Sequence, residues 1–284
     1  MKIKYIDQSC KIFDDAQIKP EWIIIHCIGY DEKKSLEILA GGDPDFPVNS
    51  HYFVPQRDHE DEEYPVFRLV PETKRARHAG ISQWGEVTDF NDRSIGIEFG
   101  SPNYAYAMEK DRALNWYHFE KFSRDQINAG IVLVRELMER HQINPANILT
   151  HADIAPWRVV NNKPQVAKTD PGAFFPMELL AQNGLGLWPA FIRTRAAAPD
   201  ISIHNAQKLL KLAGYNSWIS GIMDIPTLSS IRAFKIHFMP EEYHDDQISE
   251  TINEKMIIGL ENLLDGQYRY QITKSNEVDS KSNL

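Results

Sequence analysis

The stretch "IIIHCIGY", residues 23–30, decides the fold of this chain. Three isoleucines lead directly into His26, and Cys27 follows it. A nearly all-apolar run is typical of a strand that is buried on both faces of a sheet. Successive side chains of a strand point to opposite faces, so we interpret Cys27 as a small buried residue facing away from His26. His26 itself is either a hydrogen-bonded core residue or a functional group at the end of the strand.

Four further segments are rich in β-branched and aromatic residues, which favours strands. They are "HYFVP" (51–55), "VFRLV" (66–70), "SIGIEF" (94–99) and "NILTH" (147–151).

A clear helix is predicted before the last of these strands. Ser123 is a suitable N-cap, and Gln126 three residues later completes a capping-box pattern. Apolar residues then recur at helical spacing: Ile127, Ile131, Val134 and Met138. Strands alternating with helices indicate the α/β class, with a mixed β-sheet flanked by helices.

The C-terminal third of the chain has a different pattern from residues 1–192. Residues 193–200, "RTRAAAPD", have the composition of a linker. Residues 201–272 predict a small domain of three short helices, the third carrying apolar residues at four-residue steps from Ile248. Such a bundle is marginal alone, so we expect it to dock on the larger domain. Residues 273–284, "TKSNEVDSKSNL", predict a disordered tail.

Composition excludes several classes of protein. The formal net charge of -9 argues against nucleic-acid binding, which needs clustered Lys and Arg. No apolar run approaches the roughly 20 residues of a membrane-spanning helix. The first 15 residues lack the apolar core of a secretory leader. Two cysteines cannot form a disulfide scaffold.

Two further polar residues form a possible metal set with His26. His151 ends a predicted strand as His26 does, and Asp170 lies in the turn-forming "KTDPG", residues 168–172. Two histidines and one carboxylate leave a fourth position open, as in catalytic zinc sites. The spacing alone leaves a second interpretation open, in which Asp170 only accepts hydrogen bonds within its turn.

The order of these segments resembles a known family. The blocks "IIIHCIGY", "RHAGISQWGEVTDFNDRSIGIEFG", "ILTHADIAPWR" and "KTDPGAFFP" are similar to those of zinc-dependent N-acetylmuramoyl-L-alanine amidases. This is the type 2 amidase fold, related to phage lysozyme-like amidases and peptidoglycan recognition proteins. The resemblance covers about residues 20 to 190. The C-terminal part, with "IRAFKIHFMPEEYHDD", resembles a helical peptidoglycan-binding domain.

The resemblance implies a zinc ion (Zn2+) held by His26, His151 and Asp170. It also implies that Glu98 and Lys168 work at the metal. A carboxylate in the position of Glu98 can take a proton from water and pass it to the leaving amine. A cation at Lys168 can stabilise an oxyanion. The alternatives are a strand-end carboxylate facing solvent and a solvated loop lysine.

Three more residues are candidate substrate contacts. His78 and Trp84 match a family block that flanks the cleft, although Trp84 is equally consistent with a packed aromatic residue. Tyr52 lies near a position where some family members have an active-site tyrosine. The remaining histidines, His237 among them, have no spacing that suggests ligation.

The expected substrate is the amide between the lactyl group of N-acetylmuramic acid and L-alanine, in peptidoglycan or muropeptides. The alternatives are a non-catalytic peptidoglycan-recognition protein and an interaction module with a structural metal. We expect a monomer. A wall-binding domain favours the cell envelope or periplasm, whereas the lack of a visible leader favours the cytoplasm. An insertion at 159–167 beside the site is expected to alter the cleft wall.

Overall fold

The computed structural model describes residues 1–10, 12–41, 47–57, 63–101, 122–193, 197–244 and 247–281. Its centre is a six-stranded sheet, so the predicted fold class is confirmed. The six strands are β1 (Lys2–Asp7), β3 (Trp22–Ile28), β4 (Tyr52–Val54), β5 (Glu63–Arg68), β9 (Ser94–Gly100) and β10 (Ile148–Thr150).

The strands follow the order β1-β5-β4-β9-β3-β10. Four of the five pairings are parallel, and only β4 with β5 is antiparallel. The longest pairing joins β3 to β9 and places His26 opposite Glu98. The sheet is therefore mixed, with the strand "WIIIHCI" next to its edge strand β10.

Short paired strands outside this sheet lie in the connections. They are β2 (Asp14–Gln17) with β6 (Lys74–Arg75), β7 (Gln83–Trp84) with β8 (Val87–Thr88), β11 (Trp157–Val160) with β12 (Lys163–Val166), and β13 (Tyr243–His244) with β14 (Gln247–Ile248). Three helices belong to the same region of the chain as the sheet: α1 (Glu32–Leu39), the one-turn α3 (His151–Ile154) and α4 (Met177–Gln182).

Helix α2 (Arg124–His141) covers one face of the sheet. Ile23 and Ile25 of β3 point into this core, as alternation along a strand requires. The side chain of Ser123 accepts from the backbone N–H of Gln126, which confirms the predicted N-cap. The Gln126 amide instead donates to two strand-end carbonyls, those of Val54 and Gly100, so it does not close a capping box.

The opposite face is covered by the C-terminal helices α5 (Ile203–Ala213), α6 (Ile225–Phe238) and α7 (Glu254–Lys281). Ile24 of β3 and Leu149 of β10 share one buried cluster with residues of all three helices. The sheet and the C-terminal helices therefore have a continuous hydrophobic core.

Helix α7 differs from the predicted third helix at both ends. Its first turn is capped by the side chain of Asn253, which accepts from Met256, so the helix begins after Ile248 and Ile252 rather than including them. The helix continues to Lys281, into the segment predicted to be disordered, because no glycine or proline follows Gly266 to end it. The domain boundaries at 193–200 stay a prediction.

Among the residues that the structure describes, no helix is both long and apolar enough to cross a membrane.

Candidate metal centre

Three neighbouring segments bring His26, His151 and Asp170 together. Thr150, the last residue of β10, pairs in parallel with the β3 residue that precedes His26. His151 comes next and begins α3, so it lies beside His26. The backbone of Ala152 completes the arrangement, because its N–H donates to the Asp170 carbonyl oxygen at 3.0 Å.

The three side chains converge on one point. His26 Nδ1 lies 2.9 Å from His151 Nδ1, and Asp170 Oδ2 lies 3.1 Å from His151 Nδ1 and 3.5 Å from His26 Nδ1. All three residues are buried. Ligand atoms about 2.0–2.2 Å from a tetrahedral zinc ion are separated by roughly 3.3–3.6 Å. The three separations are close to this range, two of them slightly shorter.

Hydrogen bonds fix the protonation pattern of the first imidazole. The Ser94 hydroxyl donates to the Phe90 carbonyl, so it accepts from His78 Nε2–H, 3.3 Å away. His78 Nδ1 then accepts from His26 Nε2–H at 2.9 Å. His26 Nδ1 is thereby left with a free lone pair.

The second imidazole has the same pattern. His151 Nε2 lies 3.2 Å from the carbonyl oxygen of Ala79 and donates to it, so in the neutral imidazole the lone pair is on Nδ1. When both imidazoles are neutral, two nitrogen lone pairs and a carboxylate oxygen face one another within 3.5 Å. A proton or a metal cation must then lie between these electron pairs, and two imidazole nitrogens with one carboxylate oxygen are a donor set that fits a zinc ion.

Electrostatics favours a neutral His26 and an ionised Asp170. Burial, reinforced by His151, lowers the pKa of His26 to about 4, so its imidazole is neutral at pH 7. Burial alone would raise the pKa of Asp170, but in the absence of metal the charge and hydrogen bond of His151, together with His26 and Lys168, hold the pKa well below its ordinary value. Neutral imidazoles and an ionised carboxylate are the states in which these groups bind metal.

Glu98 lies on the same sheet face as His26, since the two residues are directly paired. Burial and the nearby charge of Asp170 raise the pKa of Glu98 to about 8, while Lys168 acts in the opposite direction. The Glu98 Oε2 atom is buried and has no hydrogen-bond partner among the described residues. A carboxylate in this state can exchange a proton near neutral pH.

Lys168 reaches the site from the end of a β-hairpin. Strands β11 and β12 are joined by Asn161 and Asn162, both with positive φ (50° and 60°), as in the tight turns that match strand twist. This hairpin contains the predicted insertion at 159–167. The Lys168 N–H donates to the Ala155 carbonyl at 3.0 Å, and the side chain is exposed. Its positive charge influences the pKa of both Glu98 and Asp170.

His78 lies behind the metal set. It is buried and contacts His26 through the hydrogen bond described above, with ring centroids 5.0 Å apart. This placement supports a role in orienting His26 and does not support the predicted direct contact with substrate.

Trp84 and Tyr52 lie away from the cluster. Trp84 is buried in contact with Gly214 and Tyr215 of the C-terminal region, the Tyr215 ring being 4.7 Å away. Tyr52 is on the opposite sheet face from Glu98, and its hydroxyl donates to Glu72. Neither placement supports the predicted substrate contact, because packing against the core occupies both side chains.

Two structural contributors were missed by sequence reasoning. A Cβ on Gly96 would lie 2.5 Å from His78 Cγ, so the glycine lets the His78 ring lie against strand β9. A glycine within a strand was the available signal. The second is Asp153 of α3, which binds Tyr215 and His237. No local sequence pattern predicts this contact, because Tyr215 and His237 are 62 and 84 residues away from Asp153.

Comparisons with known proteins agree with this geometry. The sequence family described as N-acetylmuramoyl-L-alanine amidase matches residues 16–173. N-acetylmuramoyl-L-alanine amidase AmiD of Escherichia coli is 35% identical over 235 residues, which is 81% of this chain and 78% of that protein.

Solved structures match nine-tenths of the chain. A complex of Escherichia coli AmiD with the substrate anhydro-N-acetylmuramic acid-L-Ala-D-gamma-Glu-L-Lys superposes with a TM-score of 0.70 at 30% identity. That match covers 90% of this chain and 91% of the other. AmpDh3 from Pseudomonas aeruginosa, at 24% identity and a TM-score of 0.67, shares the fold over 90% of this chain and 96% of its own.

Proposed function

The chain belongs to the N-acetylmuramoyl-L-alanine amidase family, and we propose that it cleaves its amide with zinc held by His26, His151 and Asp170. The reaction is hydrolysis of the bond between the lactyl group of N-acetylmuramic acid and L-alanine, in peptidoglycan or muropeptides. The observation that carries the metal assignment is the set of three buried ligand atoms, two imidazole nitrogens and one carboxylate oxygen, within 3.5 Å of one another.

Zinc, when bound there, polarises the amide carbonyl and lowers the pKa of a coordinated water molecule towards about 7. Three protein ligands leave the open position that a hydrolytic site needs. A structural site would have four protein ligands, and a recognition protein would not need a complete ligand set beside a carboxylate such as Glu98.

Glu98 is the proposed general base and acid. Its unpartnered Oε2 is free to accept a proton from the attacking water. The pKa of about 8 applies to the metal-free protein; the charge of bound zinc would lower it and keep the carboxylate ionised until the water is deprotonated. The protonated carboxyl group would then donate that proton to the leaving amine nitrogen of L-alanine.

Lys168 is the proposed electrostatic partner of the oxyanion. Its side chain is exposed, and its charge acts on Glu98 and Asp170. A positive charge near the metal set would offset the negative charge that develops on the carbonyl oxygen. The monomeric state and a peptidoglycan-binding role for the C-terminal helices stay predictions.

Zinc analysis combined with one digest tests the proposal. The full chain is expected to contain one equivalent of zinc. It should split a purified muropeptide into a sugar with a free lactyl carboxylate and a peptide with a free L-alanine amino group, both detected by mass spectrometry. A zinc-loaded protein that binds the muropeptide and leaves it intact would instead indicate a recognition protein.

A further inference from the structure

A buried polar cluster joins the metal-ligating turn to the C-terminal helices. Asp153 has no exposed surface, and it lies two residues after His151 in α3. Its Oδ2 accepts from the backbone N–H of Thr150 at 2.8 Å and from the Thr150 hydroxyl at 2.7 Å. This carboxylate therefore anchors the residue that immediately precedes the ligand His151.

The two other hydrogen bonds to Asp153 come from the C-terminal region, from Tyr215 just after α5 and from His237 in α6. The Tyr215 hydroxyl donates to Oδ1 at 2.8 Å, and His237 Nδ1–H donates to Oδ2 at 2.7 Å. Tyr215 and His237 are both buried. A buried carboxylate is stable only when its lone pairs are occupied, and here half of its donors come from outside the catalytic sheet.

We infer that Tyr215 and His237 are positioning residues for the metal centre, acting through Asp153 on the turn that presents His151. The inference rests on the proposed zinc site, and it gives the C-terminal helices a role in the catalytic domain. They complete the outer hydrogen-bond shell of a ligand segment in addition to covering the sheet.

The contacts of the turn that Asp153 anchors determine which metal ligands would move if the anchor were weakened. The Thr150–His151 peptide follows strand β10 directly, and the next residue, Ala152, donates to the Asp170 carbonyl oxygen. A shift of the anchored turn therefore moves two of the three ligands relative to His26. Weakening the anchor should lower metal affinity, as it does when outer-shell partners of other metal sites are removed.

The test compares hydroxyl deletions in the full-length protein. Tyr215→Phe removes one hydrogen bond to Asp153 and keeps the aromatic ring in its contact with Trp84. Thr227→Val is the matched control, because it removes a buried hydroxyl from α6 that accepts from Gln207 and donates to Asp224. Within the part of the chain that the structure describes, this hydroxyl is not hydrogen-bonded to Asp153.

Zinc affinity is measured by competition with a chelator, and stability by thermal unfolding of the metal-free proteins. Tyr215→Phe is expected to weaken zinc binding about tenfold. Thr227→Val is expected to lose thermal stability while its zinc affinity stays within about twofold of the wild type. Equal zinc affinities in the wild type and Tyr215→Phe would overturn the inference, even if Tyr215→Phe melted earlier.

Two variants at His237 provide a second test of the same inference by zinc affinity. His237→Asn places an amide N–H where Nδ1–H stood and should retain most of the affinity, whereas His237→Leu should lose about tenfold. Equal zinc affinities in these two variants would contradict the role of the Asp153 contact. A wild-type protein that binds no zinc would refute the proposed function itself, and the inference with it. Zinc binding by the wild type with unchanged variants refutes only the inference.

Discussion

Replacing Glu98 with glutamine should make the metal-free protein more stable and the zinc enzyme almost inactive. Burial raises the pKa of Glu98 from an ordinary value of 4.5 to about 8. In the folded state the group is therefore protonated between these pH values, while in the unfolded state it is ionised. Folding then takes up a proton, so stability falls as pH rises from about 4.5 to 8 and levels off above that.

The size of the effect follows from the two pKa values. At about 1.4 kcal/mol per pKa unit, the difference is at most ~5 kcal/mol of lost stability above pH 8. Glu98→Gln removes the titrating group and keeps its shape. Its melting temperature without metal should equal that of the wild type near pH 5 and exceed it by about 5 °C or more at pH 9. Bound zinc should reduce this gap, because its charge stabilises the carboxylate.

The assay is thermal unfolding with a chelator at pH 5, 7 and 9, followed by turnover of the zinc-loaded proteins. Turnover of Glu98→Gln should fall by about 100-fold or more with stoichiometric zinc retained. Glu72→Gln is the control of opposite sign, because its partners Tyr52, His141 and Arg140 lower the pKa of Glu72 against the effect of burial. That variant should lose stability at pH 7 and approach the wild type in acid. The reasoning would be refuted if the melting temperatures of metal-free Glu98→Gln and wild type differed by the same amount at pH 5 and pH 9.

Four other outcomes are expected. Loss of both zinc and hydrolysis, measured by elemental analysis and muropeptide turnover, is expected in three variants: His26→Ala, His151→Ala and Asp170→Ala. Lys168→Ala should keep its zinc and lose about 100-fold to 1,000-fold in turnover, and normal turnover would remove it from the mechanism. Gly96→Ala should lower zinc affinity and thermal stability because its Cβ would collide with His78. Gly266→Ala has open space around the new methyl group and should lower neither quantity. Equal zinc affinities and melting temperatures in these two variants would contradict the packing of His78 against Gly96. A chain ended at residue 197 should be insoluble or should lose activity on soluble muropeptides and insoluble sacculi together, and retained turnover of the soluble substrate would show that the helices are dispensable.

The three proposed ligands were candidates from the sequence, and the family resemblance joined them into one set. His26 interrupts an apolar strand, and Asp170 lies in a Pro-Gly turn. Parallel strands bring their carboxyl ends to one edge of a sheet, so His151, at the end of another strand, could lie near His26, and the structure pairs these two strands. The order of the blocks then matched a family. These are short-range patterns combined with one topological rule.

The surroundings of the site were not accessible in this way. Trp84 and Tyr52 were predicted as substrate contacts from their positions in the family's blocks. Their orientation depends on which sheet face Tyr52 is on and on the packing of Trp84 against Gly214. His237 had no ligand spacing, and its partner Asp153 lies 84 residues earlier. Contacts of this separation are set by tertiary packing, which periodicity does not report.

The same packing bears on what the C-terminal helices contribute. A module that only tethers an enzyme to a polymer needs no buried contact with the catalytic site. Here Ile24 and Leu149, on the sheet face that carries His26, are covered by helices α5 to α7. Trp157 Nε1 also donates to the Asn216 carbonyl at 2.6 Å, tying the hairpin before Lys168 to the same region. Removing the helices would expose an apolar sheet face and leave the Asp153 carboxylate with half its donors, both of which are unfavourable. The helices therefore belong to the folding unit of the hydrolase, and any binding of polymer is an addition to that structural role.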